Sequence, residues 1–299
     1  MKKNIHSTPI ELQKVHFRTF IQSLTQKFEP LQLFSFSCSI VNNETTSCFN
    51  KTQSEYCCHY YLLMVTESSN RIGHEVQSFA NENYEYGTIT ILSHGKKSLL
   101  EAVQANNRFF ITVLEKGQLI YSMGGMIDLD FNVSYIPTQA GVRARENLEP
   151  RIQLADGFLK GATECLKAQN YNVCAFMLHQ VVEQCFNAFI LVFLGYRSNI
   201  YNLHRMLRLC GCFSKEPKAC FLSGTSEDER LFKVLVRSYS STRYEDGFLV
   251  NRNDAAQLFE KVSVFFYLTK RMCEGEIIKL EKDALLFKEA RRKMEVVNG

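Results

Sequence analysis

The spacing of apolar residues changes character once along the chain. Up to about Tyr121, helical stretches alternate with strand-like runs, whereas from about Glu149 the spacing is helical throughout. Leu12, Val15, Phe20 and Leu24 fall mainly on one side of a helix that Ser7-Thr8-Pro9 and Glu11 start and Pro30 ends. LQLFSFSCSIV alternates bulky and small side chains and predicts a strand. NNETTSCFNKTQSEY is a polar, turn-forming stretch, and YYLLMVT is a second strand, apolar on both faces. A helix is expected over 71–83, a strand over 88–92 and a short helix over 98–105. Phe109-Phe110-Ile111 and Gln118 to Tyr121, separated by Glu115-Lys116-Gly117, are expected to close the unit as a hairpin.

The second regime follows a stretch with linker chemistry: Gly124-Gly125, the Ile136-Pro137 step and the charged RARENLEPR. Ala155, Phe158, Leu159, Ala162 and Leu166 predict an amphipathic helix to about Gln169. Asn172 to Leu194 is apolar nearly all round, which places it at the buried centre of a bundle, and Gly195 ends it. A short helix fits Tyr201 to Leu209. Another starts at Ser226 and runs to about Tyr239, with Leu231, Leu235 and Tyr239 on one side. Asn253-Asp254 caps a last long helix with Ala256, Phe259, Val262, Phe266 and Thr269 on one side. Its continuation from Glu274 to Val296 mixes both charges, as a solvated extension or a dimer contact would. The expected fold class is α+β with two domains: a small α/β domain over 1–127, a linker over 128–149, and an all-α up-and-down helical bundle with a C-terminal helical extension over 150–299.

Composition narrows the function classes. With 299 residues, 45% hydrophobic and 22% charged, the chain is an ordinary globular one, and a net charge of +4 is too mild for a general nucleic-acid binder. Any polyanion site is therefore local. Eleven cysteines, an odd count, in a long chain without a secretory start imply reduced thiols. MKKNIHSTPIELQ lacks the apolar core of a signal peptide, and the apolar run from Phe186 to Leu194 is about half the ~20 residues that span a bilayer. These features predict a cytoplasmic protein with no membrane partner, in which the N-x-[ST] triplets at Asn43, Asn50 and Asn132 carry no meaning.

The order helix, strand, polar loop, strand, helix, strand resembles the minimal nucleotidyltransferase fold. That chemistry uses a Gly-Ser turn for the phosphates and three carboxylates holding two metal ions about 3.5–4 Å apart. Here the turn position reads Phe34-Ser35-Phe36-Ser37, the second strand offers His59, Tyr60 and Tyr61, and the strand from Thr88 to His94 has no acid. Hard divalent cations want charged oxygen ligands, so the domain is expected to be an inactive scaffold. Asp128 and Asp130 form a D-x-D, but after the last strand, where an exposed linker is the simpler reading. Cys57-Cys58-His59 offers adjacent ligands, and Cys210, Cys212 and Cys220 are irregularly spaced, so neither metal nor cofactor is expected.

In the helical half, Phe176-Met177-Leu178-His179-Gln180-Val181-Val182-Glu183, then Leu194-Gly195-Tyr196-Arg197, then Asn202-Leu203, and finally Tyr239 with Thr242-Arg243-Tyr244 occur in order. These motifs resemble the HEPN superfamily, in the branch typified by the C-terminal domain of sacsin, over roughly residues 150–275. Related bacterial chains pair this domain with a decayed nucleotidyltransferase-like unit. The resemblance implies either a metal-independent ribonuclease or a module that binds nucleotides without turning them over. The ribonuclease branch places a histidine four to six residues after an arginine, near the start of the final long helix. Arg237 matches the arginine, but the stretch ends at Arg243 and Tyr244, and a phenol of pKa about 10 is a poor base at neutral pH. Arg197 and His204 fit the spacing but fall between the second and third helices. The binding branch carries His-Asn-Leu after the long helix, where this chain has Tyr201-Asn202-Leu203 with His204 displaced beyond it.

Between Glu183 and Glu216 there is no acid, while Arg197, Arg205, Arg208 and Lys215 fall in that interval; Arg230, Lys233, Arg237 and Arg243 follow. If these groups share a cleft, they make a local phosphate-binding field. The expected phosphate- or nucleotide-binding residues are Arg197, Tyr201, His204, Arg237, Tyr239, Arg243 and Tyr244, with no catalytic residue. Arg243 beside Tyr244 leads, because a planar guanidinium suits phosphate and a tyrosine can stack on a base. His179 and Glu183, one turn apart, are expected to hydrogen-bond each other or a neighbouring helix. The expected function is non-catalytic binding of a nucleotide or polyanion, with a ribonuclease or a protein-interaction module as the alternatives. RNA is the less favoured ligand, and the resemblance implies a homodimer through the HEPN helices.

Overall fold

The computed structural model describes residues 9–45, 53–68, 72–125 and 134–297, and the chain divides into two compact units, Met1–Tyr135 and Ile136–Gly299. Ser7, Thr8, Asp128, Asp130, Asn50 and Asn132 lie outside the described residues.

In the first unit, α1 (Pro9–Phe28) leads into an antiparallel pair, β1 (Gln32–Thr45) and β2 (Gln53–Thr66), followed by α2 (Gly73–Asn83), β3 (Gly87–Gly95), α3 (Lys96–Gln104), α4 (Arg108–Lys116) and β4 (Gln118–Ser122). The sheet order is β3-β2-β1-β4, with β3 parallel to β2 and the other pairs antiparallel. Phe20 and Leu24 of α1 and Val76 and Ala80 of α2 bury against Leu33, Leu62, Met64, Ile89 and Ile91 on one sheet face. Gln77 of α2 covers the outer side of β3: its Nε2 donates to the Ile89 carbonyl at 2.7 Å, and its Oε1 accepts from the Ile91 amide at 3.1 Å. An edge strand left open would be a template for pairing with another chain.

Two expectations fail here. The run Phe109-Phe110-Ile111 is helical, because Asn107 caps it, accepting from the Phe109 and Phe110 amides at 3.0 and 3.4 Å, and helical spacing buries Phe109, Phe110 and Val113 together. Phe109 meets Phe36 of β1 edge-on at 5.3 Å, so α4 covers a sheet face instead of forming a hairpin, and β4 pairs with β1. The polar stretch after Val41 is also less of a turn than expected, since β1 and β2 stay in register out to Thr45 and Gln53.

The second unit contains α5 (Ala140–Lys167), α6 (Tyr171–Phe189, continued by a wider π-helical turn over Ile190–Leu194), α7 (Leu203–Cys210), α8 (Glu216–Phe221), α9 (Ser226–Tyr244) and α10 (Arg252–Val297). The stretch 140–149, expected as linker, is the first part of α5. Ala140, Ala144 and Leu148 are buried, and Arg145 bonds Glu281 of α10 at 2.8 Å. α6 is buried along its length, with Leu178, Val181, Val182, Cys185 and Phe186 fully enclosed. Its span Tyr171–Leu194 is long and apolar enough to cross a membrane by length and composition, yet 67% of that window is inside the bundle. Gly195 ends it at φ 70°, a left-handed conformation that glycine adopts without a Cβ clash.

Asn172, at the start of α6, holds the loop that follows α9. Its Nδ2 donates to the Phe248 carbonyl at 2.6 Å and its Oδ1 accepts from the Val250 amide at 2.7 Å, while Thr242 donates to its own carbonyl at 3.3 Å. Asn172→Ala should therefore lower the unfolding free energy by about 1–3 kcal/mol, the cost of leaving such groups unmatched. Urea denaturation checks this, and an unchanged midpoint would contradict the role given to Asn172.

Candidate functional site: a cation ringed by aromatic side chains at the end of α9

α9 begins with Thr225 accepting from the Asp228 amide at 3.1 Å and is anchored to α10 by charge pairs. Arg230 bonds both oxygens of Asp254, at 2.9 and 2.6 Å, and Lys261 lies 2.7 Å from Asp228. The helix runs five residues past Tyr239, where the spacing suggests a stop, and this extension assembles the site. Tyr239 and Arg243 become i and i+4 neighbours on one face. The Arg243 Nε donates to the Tyr239 carbonyl at 2.8 Å, and its guanidinium carbon lies 4.3 Å from the Tyr239 ring, 5.0 Å from Tyr244 and 5.6 Å from Phe176 of α6. Such cation–ring contacts are each worth about 0.5–1 kcal/mol at exposed sites.

Behind Tyr239 lies α6. The Tyr239 ring stacks on His179 at 5.0 Å and on Phe176 at 6.4 Å. His179 is 3% exposed, and its pKa is pushed down to about 4, first by burial and then by the charge of Arg243. Gln180 Nε2 lies 3.3 Å from its Nδ1. Of the two arrangements expected for His179 and Glu183, no hydrogen bond joins them among the described residues, and the histidine turns to the neighbouring helix, where its ring stacks on Tyr239. Burial raises the Glu183 pKa, and the charge of Arg151 offsets part of that.

Of the seven residues singled out from the sequence, the structure brings Tyr239, Arg243 and Tyr244 together. Arg237 sits on the same helix but is tied back to Glu245 at 3.0 Å, with Phe248 5.8 Å from its guanidinium. Arg197 and Tyr201 are exposed in the segment between α6 and α7. His204 meets Phe232 edge-on at 4.9 Å, and its pKa is held below the usual histidine value by burial, then by Arg208 and Lys233. Among the described residues, no hydrogen bond, ion pair or ring contact links Arg197, Tyr201 or His204 to the Arg243 group. Phe176 and His179 complete that group. Both lie in the α6 motif that the sequence displays, but nothing in it ties them to α9, and the contact they make spans some sixty residues.

In the first unit, the sheet face opposite α1 and α2 carries His59 and Tyr61 on β2 and Thr88 and Thr90 on β3. The two ring nitrogens of His59 share hydrogen bonds with the hydroxyls of Thr88 at 2.7 Å and Thr90 at 2.9 Å, and the imidazole stacks on Tyr61 at 4.2 Å. The imidazole is thus spent on holding the parallel pair β2 and β3 together. Among the described residues, no group of three His, Cys, Asp or Glu side chains could hold a metal ion.

The His179 environment has a pH consequence. Its folded pKa of about 4 lies below the ordinary 6.5, so its contribution to stability is present above pH 6.5 and is lost as the pH falls towards 4. The loss reaches at most about 3 kcal/mol at 1.36 kcal/mol per unit. His94, pushed down to about 4 by burial in the first unit, acts in the same sense. Urea midpoints followed from pH 7 to pH 4 should fall for the native chain and fall less steeply for His179→Gln. Equal slopes would contradict the assignment.

Comparison with known proteins bears on the second unit. Residues 148–272 match the family model described as the HEPN domain. No curated protein matches the chain. Among solved structures, the crystal structure of TT1696 from Thermus thermophilus is 18% identical, covers 43% of this chain and 97% of that chain, and superposes with a TM-score of 0.32, too low to support an argument. The helical bundle and the family match agree that residues 148–272 form a HEPN domain.

Proposed function

We propose that the chain is a non-catalytic binder of a nucleotide or another phosphate-bearing ligand, with Arg243 as the anion contact. The observation that carries this reading is the state of the Arg243 side chain. It is exposed, its Nε is fixed to the Tyr239 carbonyl, three rings surround the guanidinium, and no carboxylate is within ion-pair distance among the described residues. The other nitrogens form a fork that suits phosphate oxygens. Tyr244, 77% exposed beside it, offers a ring face on which a base can stack.

Two observations favour binding over turnover. The position where a ribonuclease would need its histidine holds Arg243 and Tyr244. The nearby histidine, His179, is buried and stays neutral down to a pH of about 4, so it is a poor proton carrier for a ligand at the surface. In the first unit, the His59, Thr88 and Thr90 cluster supports reading this part as an inactive nucleotidyltransferase-like domain. Its neutral hydroxyls already bond an imidazole and supply no charge for two divalent ions. A cytoplasmic location belongs to the same reading.

A ligand at a hundred times its Kd stabilises the folded state by about 2.7 kcal/mol. A thermal-shift screen of nucleotides and inorganic polyphosphates should therefore find ligands that raise the native Tm and fail to raise that of Arg243→Ala. A shift that survives the substitution, or no shift with any of them, would overturn the site. Metal-independent RNA cleavage that disappears in Arg237→Ala would replace the reading with a ribonuclease.

A further inference from the structure

β1 slips by one residue against β2 between Ser35 and Ser37. Side chains alternate between the two faces of a sheet, so this bulge decides which face every later β1 residue takes. Without the slip, the pairing of Ser35 with Leu62 would carry on to set Cys38 opposite His59, on the face away from Cys58. With it, Cys38 stands opposite Tyr60 and Ile40 opposite Cys58, which makes the two thiols diagonal neighbours on the face that α1 covers. Their sulfurs lie 4.0 Å apart. Cys58 is 2% exposed, and Tyr60, the next β2 residue on that face, accepts from Gln13 of α1 at 2.9 Å. Cys38 is the only exposed cysteine among the described residues. An accessible thiol in contact with a sheltered one is the arrangement in which the first meets an oxidant and the second resolves the adduct.

We propose that Cys38 and Cys58 are a redox pair that a small disulfide such as oxidised glutathione closes, stapling β1 to β2. The Cys38 thiolate attacks one sulfur of the oxidant and displaces its other half, leaving a mixed disulfide on Cys38. Cys58 gives up its proton, attacks the Cys38 sulfur and expels the second half. Two protons and two electrons pass from the cysteines to the oxidant, which leaves as two thiols. A disulfide is about 2.05 Å long, so the sulfurs close by about 2 Å, with the exposed Cys38 side chain turning towards its buried neighbour. Burial and then the Cys58 thiol push the Cys38 pKa up to about 12. The attacking thiolate is therefore scarce and closure takes minutes to hours, while the uncharged product suits the setting. The bond closes a loop of about 20 residues and so restrains the unfolded chain. This pair lies in the first unit and does not rest on the Arg243 reading.

The test incubates the full chain with oxidised glutathione at about pH 8, where a free cysteine begins to ionise, blocks the remaining thiols and maps tryptic peptides. Peptide 28–51 should become linked to peptide 52–71, and dithiothreitol should release them. These peptides also hold Cys48 and Cys57, so the link should persist in the double variant Cys48→Ser, Cys57→Ser and vanish in Cys38→Ser. Cys58→Ser should instead retain one glutathione on Cys38, and circular dichroism checks that this buried substitution keeps the fold. Closure should raise the urea midpoint of the native chain, whereas the same treatment should leave that of Cys38→Ser unchanged. Absence of the linked peptides, a link that survives Cys38→Ser or needs Cys48 or Cys57, a folded Cys58→Ser without glutathione on Cys38, or a linked chain with an unchanged midpoint would overturn the proposal.

Discussion

Burial of α6 on all sides by α5, α9 and α10 is the constraint on which the helical unit depends. Its apolar side chains leave water together, at roughly 1.5–3 kcal/mol for each large one, and every polar group at its border must then be matched. Ser238 of α9 donates to the Ala175 carbonyl at 3.0 Å, and Gln184 accepts from Arg151 at 2.8 Å. His179 meets the same demand by remaining uncharged under the Tyr239 ring. The register of α9 on α6 is set by these matches, and that register brings Tyr239 and Arg243 over Phe176. The exposed cation at the surface is thus a consequence of packing one layer below.

The two units hold their polar clusters differently. On the sheet of the first, an imidazole and two hydroxyls bond one another, which ties the parallel strands β2 and β3 together. At the end of α9, an arginine stays exposed among three rings, so its charge remains accessible. In a chain of net charge +4, the field that this one cation adds is local, and short-range geometry and ring contacts outweigh long-range attraction at such a position.

How far the fold is legible in the chain depends on the range of the interactions that decide each element. α6 is readable because its all-round apolar surface admits a single environment, and Gly195 marks its end by a backbone conformation that sequence displays directly. α4 is not, because Phe109-Phe110-Ile111 has strong strand propensity, and only the Asn107 cap and the sheet face beneath it settle the matter. The outer parts of β1 and β2 escape notice because the sequence there is polar, while the two strands stay paired through the ladder. At the site, Arg243 and Tyr244 are visible as residue types suited to a phosphate and a base. Phe176 and His179 are not, since their role exists only once α6 and α9 touch. Arg237 is apparent as a cation in the sequence, but Glu245 claims it in the structure.

The claim that an anion binds at Arg243 can be read from the histidine beneath it. The charge of Arg243 helps hold His179 near a pKa of about 4, so an anion that neutralises the guanidinium should let that value rise. Following the His179 ring by NMR while the pH is lowered, with and without saturating inorganic triphosphate, tests this without relying on activity. An upward displacement of the His179 titration on adding triphosphate is the predicted result. A titration that stays in place while triphosphate demonstrably binds would show that the anion sits elsewhere.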